Sequence, residues 1–149
     1  MATKTMTQAM VRQAVGFATA SRDLFEKYLA VATPDLKVME PFVVNAAFAI
    51  EIYLKTLHAG AGARRKEHGL IELYDALPQP IKDSIDAKAA KLKAEYEGAG
   101  AFREQLAQLD EGFRRWQEVY EGGWLKPIQV QPTVFLMHVL HEVCKPPAA

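Results

Sequence analysis

The stretch PFVVNAAFAIEIYLKTL, residues 41–57, constrains the fold more than any other part of the chain. Pro41 suits the first turn of a helix, where a missing N–H costs no hydrogen bond. Behind it Phe42, Val43, Ala46, Ala47, Phe48, Ala49, Ile50, Tyr53, Leu54 and Leu57 leave no continuous polar face. A helix apolar nearly all round belongs in the middle of a bundle. Asn45, Glu51, Lys55 and Thr56 interrupt it. Glu51 and Lys55 are four apart with the acid first, so they share a face and are expected to form a structural polar pair.

The rest of the chain reads as helices arranged around this one. Thr5 and Gln8 have the spacing of a capping box, and Met10, Ala14, Phe17, Leu24 and Tyr28 carry a first helix to about Ala32, ahead of Pro34. A short helix is expected from His68 to Leu77, through Leu70, Leu73 and Tyr74. Pro80 opens a fourth with the stripe Ile81, Ile85, Ala89, Leu92 and Tyr96. The fifth has the most regular seam, Phe102, Leu106, Leu109, Phe113, Trp116 and Tyr120, in alternating steps of four and three. Thr133 caps a last helix through Phe135, Leu136, Val139, Leu140 and Val143. The expectation is an all-α, up-and-down helical bundle of five main helices plus a short one. It forms a single domain over residues 1–149, with residues 145–149 a disordered tail. Only IQV, residues 128–130, has the character of a brief strand.

Eighteen basic and eighteen acidic residues cancel, which excludes a polycationic coat for nucleic acid and leaves room for a local basic patch. The N-terminus MATKTMTQAM lacks the apolar region of a signal peptide, and no unbroken apolar run approaches the ~18 residues of a membrane span. A cytoplasmic protein with no membrane partner is expected. The single cysteine, Cys144, excludes an internal disulfide and any CxxC motif.

Three groups of residues carry potential chemistry. His138, His141 and Cys144 follow one another at steps of three, with Glu142 four after His138. The spacing offers a metal face or a cysteine–histidine nucleophile pair, but HExxH is absent and three ligands from one short helix rarely surround a metal. Packing is therefore the reading taken, with no metal and no other cofactor expected. GAGARRK, residues 60–66, lacks the Walker spacing and follows a helix instead of a strand, so it reads as a hinge whose Arg64, Arg65 and Lys66 could meet phosphates. Arg114 and Arg115 stand beside the fifth seam, near Asp110, Glu111 and Glu118. Spacing favours a surface ion-pair lattice; the functional alternative is a groove in which the arginines, with Trp116 and Tyr120, take phosphates and bases.

Taken in order, NAAFAIEIYLKTL, the linker, EHGLIELYDALP and FRRWQEVYEG resemble the HEPN family of small helical bundles, over roughly Pro41 to Gly122. The strongest marks are Glu51 and Lys55 in an E-x-x-x-K block and His68 opening the short helix. The resemblance implies a homodimer, and many members are metal-independent ribonucleases of defence or toxin–antitoxin systems. They use an arginine and a histidine four to six residues apart at the dimer cleft. Arg114 and Arg115 match the arginine; no histidine follows at that distance, and Tyr120 stands there instead. A phenol, with pKa near 10, is a poor general base at neutral pH. The implied function is thus binding of RNA or a nucleotide through Arg114, Arg115, Tyr120, Lys55 and His68, or assembly with an antitoxin or nucleotidyltransferase partner, without catalysis. The alternatives are an endoribonuclease with a non-standard site and a purely structural interaction module.

Overall fold

A computed structural model describes residues 4–116 and 130–145. Among them the chain is all-α, with six α-helices and no strand. α1 spans Lys4–Leu24 and runs on through one π turn, Phe25–Leu29. A 3-10 turn, Leu36–Val38, leads into α2, Met39–Gly60. Then follow α3 (Leu70–Asp75), α4 (Gln79–Leu92) with a 3-10 turn Lys93–Glu95, α5 (Phe102–Trp116) and α6 (Val130–Cys144).

The differences from the expected boundaries have local causes. α1 loses its regular ladder at Leu24, where the Ala30 N–H reaches back five residues to the Phe25 carbonyl at 2.7 Å. α2 starts two residues before Pro41, which is permitted because the first N–H groups of a helix have no intrahelical acceptor. Gly69 is extended, with φ −70° and ψ 127°, so α3 begins at Leu70 and His68 belongs to the linker instead of opening the helix. α6 begins at Val130, ahead of Thr133, with Pro132 accommodated in its first turn. Val130 is thus helical, and the rest of the expected strand, Ile128 and Gln129, lies outside the described residues, as do residues 146–149 of the tail.

α2 is the centre of the bundle. It packs against α1, α3, α5 and α6, while α4 is carried on α6 and α5. Phe42, Ile50, Tyr53 and Leu54 of α2 are closed from solvent with Leu73, Ile85, Leu106, Phe135 and Leu140. Burying each such side chain contributes about 1.5–3 kcal/mol before chain entropy is set against it. Polar ties fix the register. The Ser21 hydroxyl donates to the Phe42 carbonyl at 2.9 Å, and the His58 Nε2–H to the Leu73 carbonyl at 2.7 Å.

Two expectations for α2 are corrected. Phe48 is 41% exposed instead of buried, its ring set between Phe17 at 5.5 Å and Phe113 at 6.4 Å between centroids. Its neighbours on α1 and α5 are aromatic edges that flank it without covering it. Leu36–Gly60 also has the length and mean hydropathy, 1.2, of a membrane span despite its scattered polar residues. In the bundle 61% of that window is buried against other helices, as befits a core helix.

Candidate functional site

α2 ends in a turn that dictates where the following segment goes. The Ala63 N–H bonds the His58 carbonyl at 2.9 Å and the Gly62 N–H bonds the Ala59 carbonyl at 3.0 Å. This six-to-one and five-to-two pattern is a Schellman motif, and it requires a residue with positive φ at its second-last position. Gly62 supplies it, at φ +86°. The chain then reverses and returns beside the last turns of α2, so the expected hinge is a hydrogen-bonded turn followed by a non-helical linker.

Over residues 63–69 of that linker exposure alternates: Arg64, Lys66 and His68 are exposed, and Ala63, Arg65, Glu67 and Gly69 are half-buried. Alternation is the signature of an extended chain lying on a surface, with every second side chain turned outward. Arg65 is neutralised by Glu67 at 2.8 Å. The Glu67 carboxyl is held below its usual range, first by its own backbone N–H and also by Arg65. Arg64 and Lys66 have no side-chain partner among the described residues.

His68 closes the row against α2. The Lys55 Nζ donates to Glu51 Oε2 at 3.1 Å, and His68 Nδ1 lies 3.2 Å from the same oxygen. His68 Nδ1 is also 3.4 Å from the Lys55 ammonium. With Nδ1–H donating to the carboxylate, that last approach is one of two donors sharing an acceptor. It leaves Nε2 as the free polar edge of the ring. Side-chain exposure is 19% for Glu51, 20% for Lys55 and 79% for His68. The Glu51–Lys55 pair is therefore sheltered without being sealed, and it anchors an imidazole that faces solvent.

The start of α3 fixes the other end of the linker. Asp110, only 6% exposed on α5, accepts the Leu70 N–H at 3.3 Å and the Ile71 N–H at 3.5 Å. A carboxylate there satisfies orphan donors and complements the helix dipole. Spacing alone put Asp110 at the surface in an ion-pair lattice; its carboxylate is buried at a junction of two helices, and the arginine side chains of that lattice lie outside the described residues. Its partners are 39 and 40 residues away in sequence, so no local pattern reveals the role.

The side chains of Arg114 and Arg115, and Tyr120 altogether, lie outside the described residues. Backbone position 114 is one helical turn beyond Asp110. The histidines and cysteine of α6 are occupied elsewhere. His138 Nδ1 meets the Tyr96 hydroxyl at 2.6 Å and His141 Nδ1 the Tyr53 hydroxyl at 3.0 Å. Cys144 Sγ donates to the Tyr53 carbonyl at 3.6 Å. Burial pushes the Cys144 thiol up to about 12, which strongly disfavours the thiolate that a nucleophile or metal ligand needs. No family model, curated protein or solved structure matches the chain.

Proposed function

We propose that this chain is a HEPN-like domain that binds single-stranded RNA on the face formed by residues 63–69 and the second half of α2, without cleaving it. The observation that carries the reading is the outward row Arg64, Lys66 and His68, set beside Lys55. Alternate residues of an extended chain are roughly 6.6 Å apart. The row therefore offers two uncompensated cations and an imidazole at intervals suited to successive phosphates of an extended strand. Lys55 and Arg65 spend their charge on Glu51 and Glu67, so the site's net attraction is local and modest. The family resemblance adds the arginine pair, Arg114 and Arg115, to the reading. Catalysis is not part of the reading because no histidine follows Arg114 or Arg115 at the spacing that the RNA-cleaving members use. His68 itself is anchored to a carboxylate that also holds an ammonium.

The reading includes a homodimer. Phe48, exposed between Phe17 and Phe113, places an aromatic patch next to α5 for a second copy to cover. The binding experiment is fluorescence anisotropy with a labelled single-stranded RNA of about a dozen nucleotides across a salt series. Two phosphate contacts give a slope of roughly −1.4 in log K against log salt. Arg64→Ala with Lys66→Ala flattens that slope and weakens binding. No saturable binding at low salt by a folded protein overturns the reading. Cleavage of the RNA in the presence of chelator overturns its non-catalytic part.

A further inference from the structure

On the opposite side of α2 from Glu51 and Lys55, an open pocket of about 470 Å³ lies between α1 and α6. Tyr53 forms its back wall and stands about 200° round the helix from Glu51, so the pocket is separate from the linker face. Val15, Ala18 and Met137 give it an apolar lining, and Arg22, His138, His141 and Glu142 supply polar groups. A volume in this range accepts a small organic molecule instead of a bare ion.

Each imidazole meets a phenol at Nδ1, His141 the buried Tyr53 and His138 the half-buried Tyr96. Among the described residues Nδ1 of His141 is the acceptor within reach of the Tyr53 hydroxyl, and Nδ1 of His138 that of Tyr96. Burial raises both phenols, Tyr53 to about 12, so each is a hydroxyl able to donate to Nδ1, and for His138 the Glu142 carboxylate beside Nε2 favours that direction. With the phenols donating, each imidazole carries its hydrogen on Nε2. For His138 that N–H faces Glu142 Oε1 at 3.6 Å. For His141 it has no protein acceptor among the described residues. Arg22 is exposed on α1 with no ionic or hydrogen-bonding side-chain partner among those residues, and its charge is felt at Tyr53, Tyr96 and His141. It therefore overhangs the pocket. Glu142, the one acid in the wall, is neutralised by Lys145. The site keeps a net charge of about one cation and an unsatisfied donor above an apolar floor.

We infer that this pocket binds a small organic anion, its carboxylate or phosphate held by the Arg22 guanidinium and the His141 Nε2–H and its apolar body packed on Val15, Ala18 and Met137. A guanidinium fork matches the geometry of either oxyanion. The inference is independent of RNA binding, since it uses no residue of the linker face.

The test titrates the full chain, labelled with nitrogen-15 on arginine and histidine side chains, with benzoate, phenyl phosphate and the uncharged control benzyl alcohol. The expected result is saturable shifts of the Arg22 and His141 side-chain signals with one or both anions, distinguishing carboxylate from phosphate preference. Benzyl alcohol should bind at least tenfold more weakly. Arg22→Gln, at an exposed position, should retain the helical circular dichroism spectrum and weaken anion binding about tenfold. No saturable shift with either anion, equal binding of benzyl alcohol, or binding untouched by Arg22→Gln overturns the inference.

Discussion

The carboxylate of Asp110 on α5 accepts the backbone N–H of Leu70, the first residue of α3, at 3.3 Å across 40 residues of sequence. α3 has six residues, too few to be stable as a helix by itself, so this contact and its apolar face hold it in place. Asp110→Ala should cost about 1–2 kcal/mol in urea unfolding, the range for a lost helix cap, and Asp110→Asn should recover part of it. Because His68 lies two residues before Leu70, the alanine variant should also weaken RNA binding. Unchanged stability in Asp110→Ala would show that the contact does not secure α3.

Much of the bundle was legible because its signals are local. The seam of α5, the apolar α2 and the proline or glycine at helix ends each announce themselves within a few turns, and Ala46, Ile50, Leu106 and Leu109 are buried as their spacing implies. Phe48 was misread because a helix apolar all round gives no indication of which side lacks a neighbour. The linker face was only half legible. Glu51 and Lys55 lie one turn apart on α2, but the return of His68 to that pair depends on the turn at Gly62 and on a cap supplied from α5. The pocket escaped notice because Arg22, Tyr53 and His141 come from three helices far apart in sequence.

Glu51 holds two donors on one oxygen, so its replacement should be felt at both. Glu51→Leu leaves a sheltered ammonium unpaired, and with one-fifth of each side chain still exposed the expected loss is about 1–2 kcal/mol. The same change frees the His68 ring, so its side-chain nitrogen signals should broaden or shift. A loss below about 0.5 kcal/mol, typical of open surface sites, would place the pair in full solvent contact.

Burial lowers the pKa of His141 below its ordinary value, with Lys145, His138 and Arg22 adding to the effect and Glu142 opposing it. The unfolded chain then binds the proton more readily than the folded one. Stability from this residue is complete above the unfolded value of about 6.5 and is lost as pH falls through the lower folded value. Urea midpoints should therefore decline on acidification from about pH 7.5 to about pH 5, and His141→Asn should flatten that decline. An identical slope in the variant would assign the decline to other groups.

Light scattering after gel filtration should give twice the 16.6 kDa mass of the chain at micromolar concentration. Phe48→Glu, which puts a charge into the exposed patch between Phe17 and Phe113, should shift it to monomer without unfolding. A charge buried against a second copy is costly, whereas at a surface open in the isolated chain it is tolerated. A wild-type monomer, or a dimer indifferent to Phe48→Glu, would remove this patch as the contact.

Gly62 joins the backbone geometry of α2 to the proposed RNA face, and its substitution separates stability from binding. At φ +86° a Cβ is strained although no neighbouring atom lies within 4 Å, so Gly62→Ala should cost about 1–2 kcal/mol of left-handed strain without a clash. The alternative open to the chain is to relieve the strain by giving up the bonds from Ala63 to His58 and from Gly62 to Ala59, which redirects the linker. This second route moves Arg64, Lys66 and His68 relative to Lys55 while leaving their charges in place. Gly62→Ala should therefore weaken single-stranded RNA binding severalfold with its salt slope nearly unchanged, whereas Arg64→Ala with Lys66→Ala should reduce the slope itself, by roughly 1.4. Gly62→Asn, with a side chain that tolerates positive φ, should restore much of both stability and affinity. If Gly62→Ala gives up these turn bonds, seen as rapid amide exchange at Gly62 and Ala63, and still binds as wild type, the order of the linker is irrelevant to binding, and the outward row is reduced to loose charge attraction.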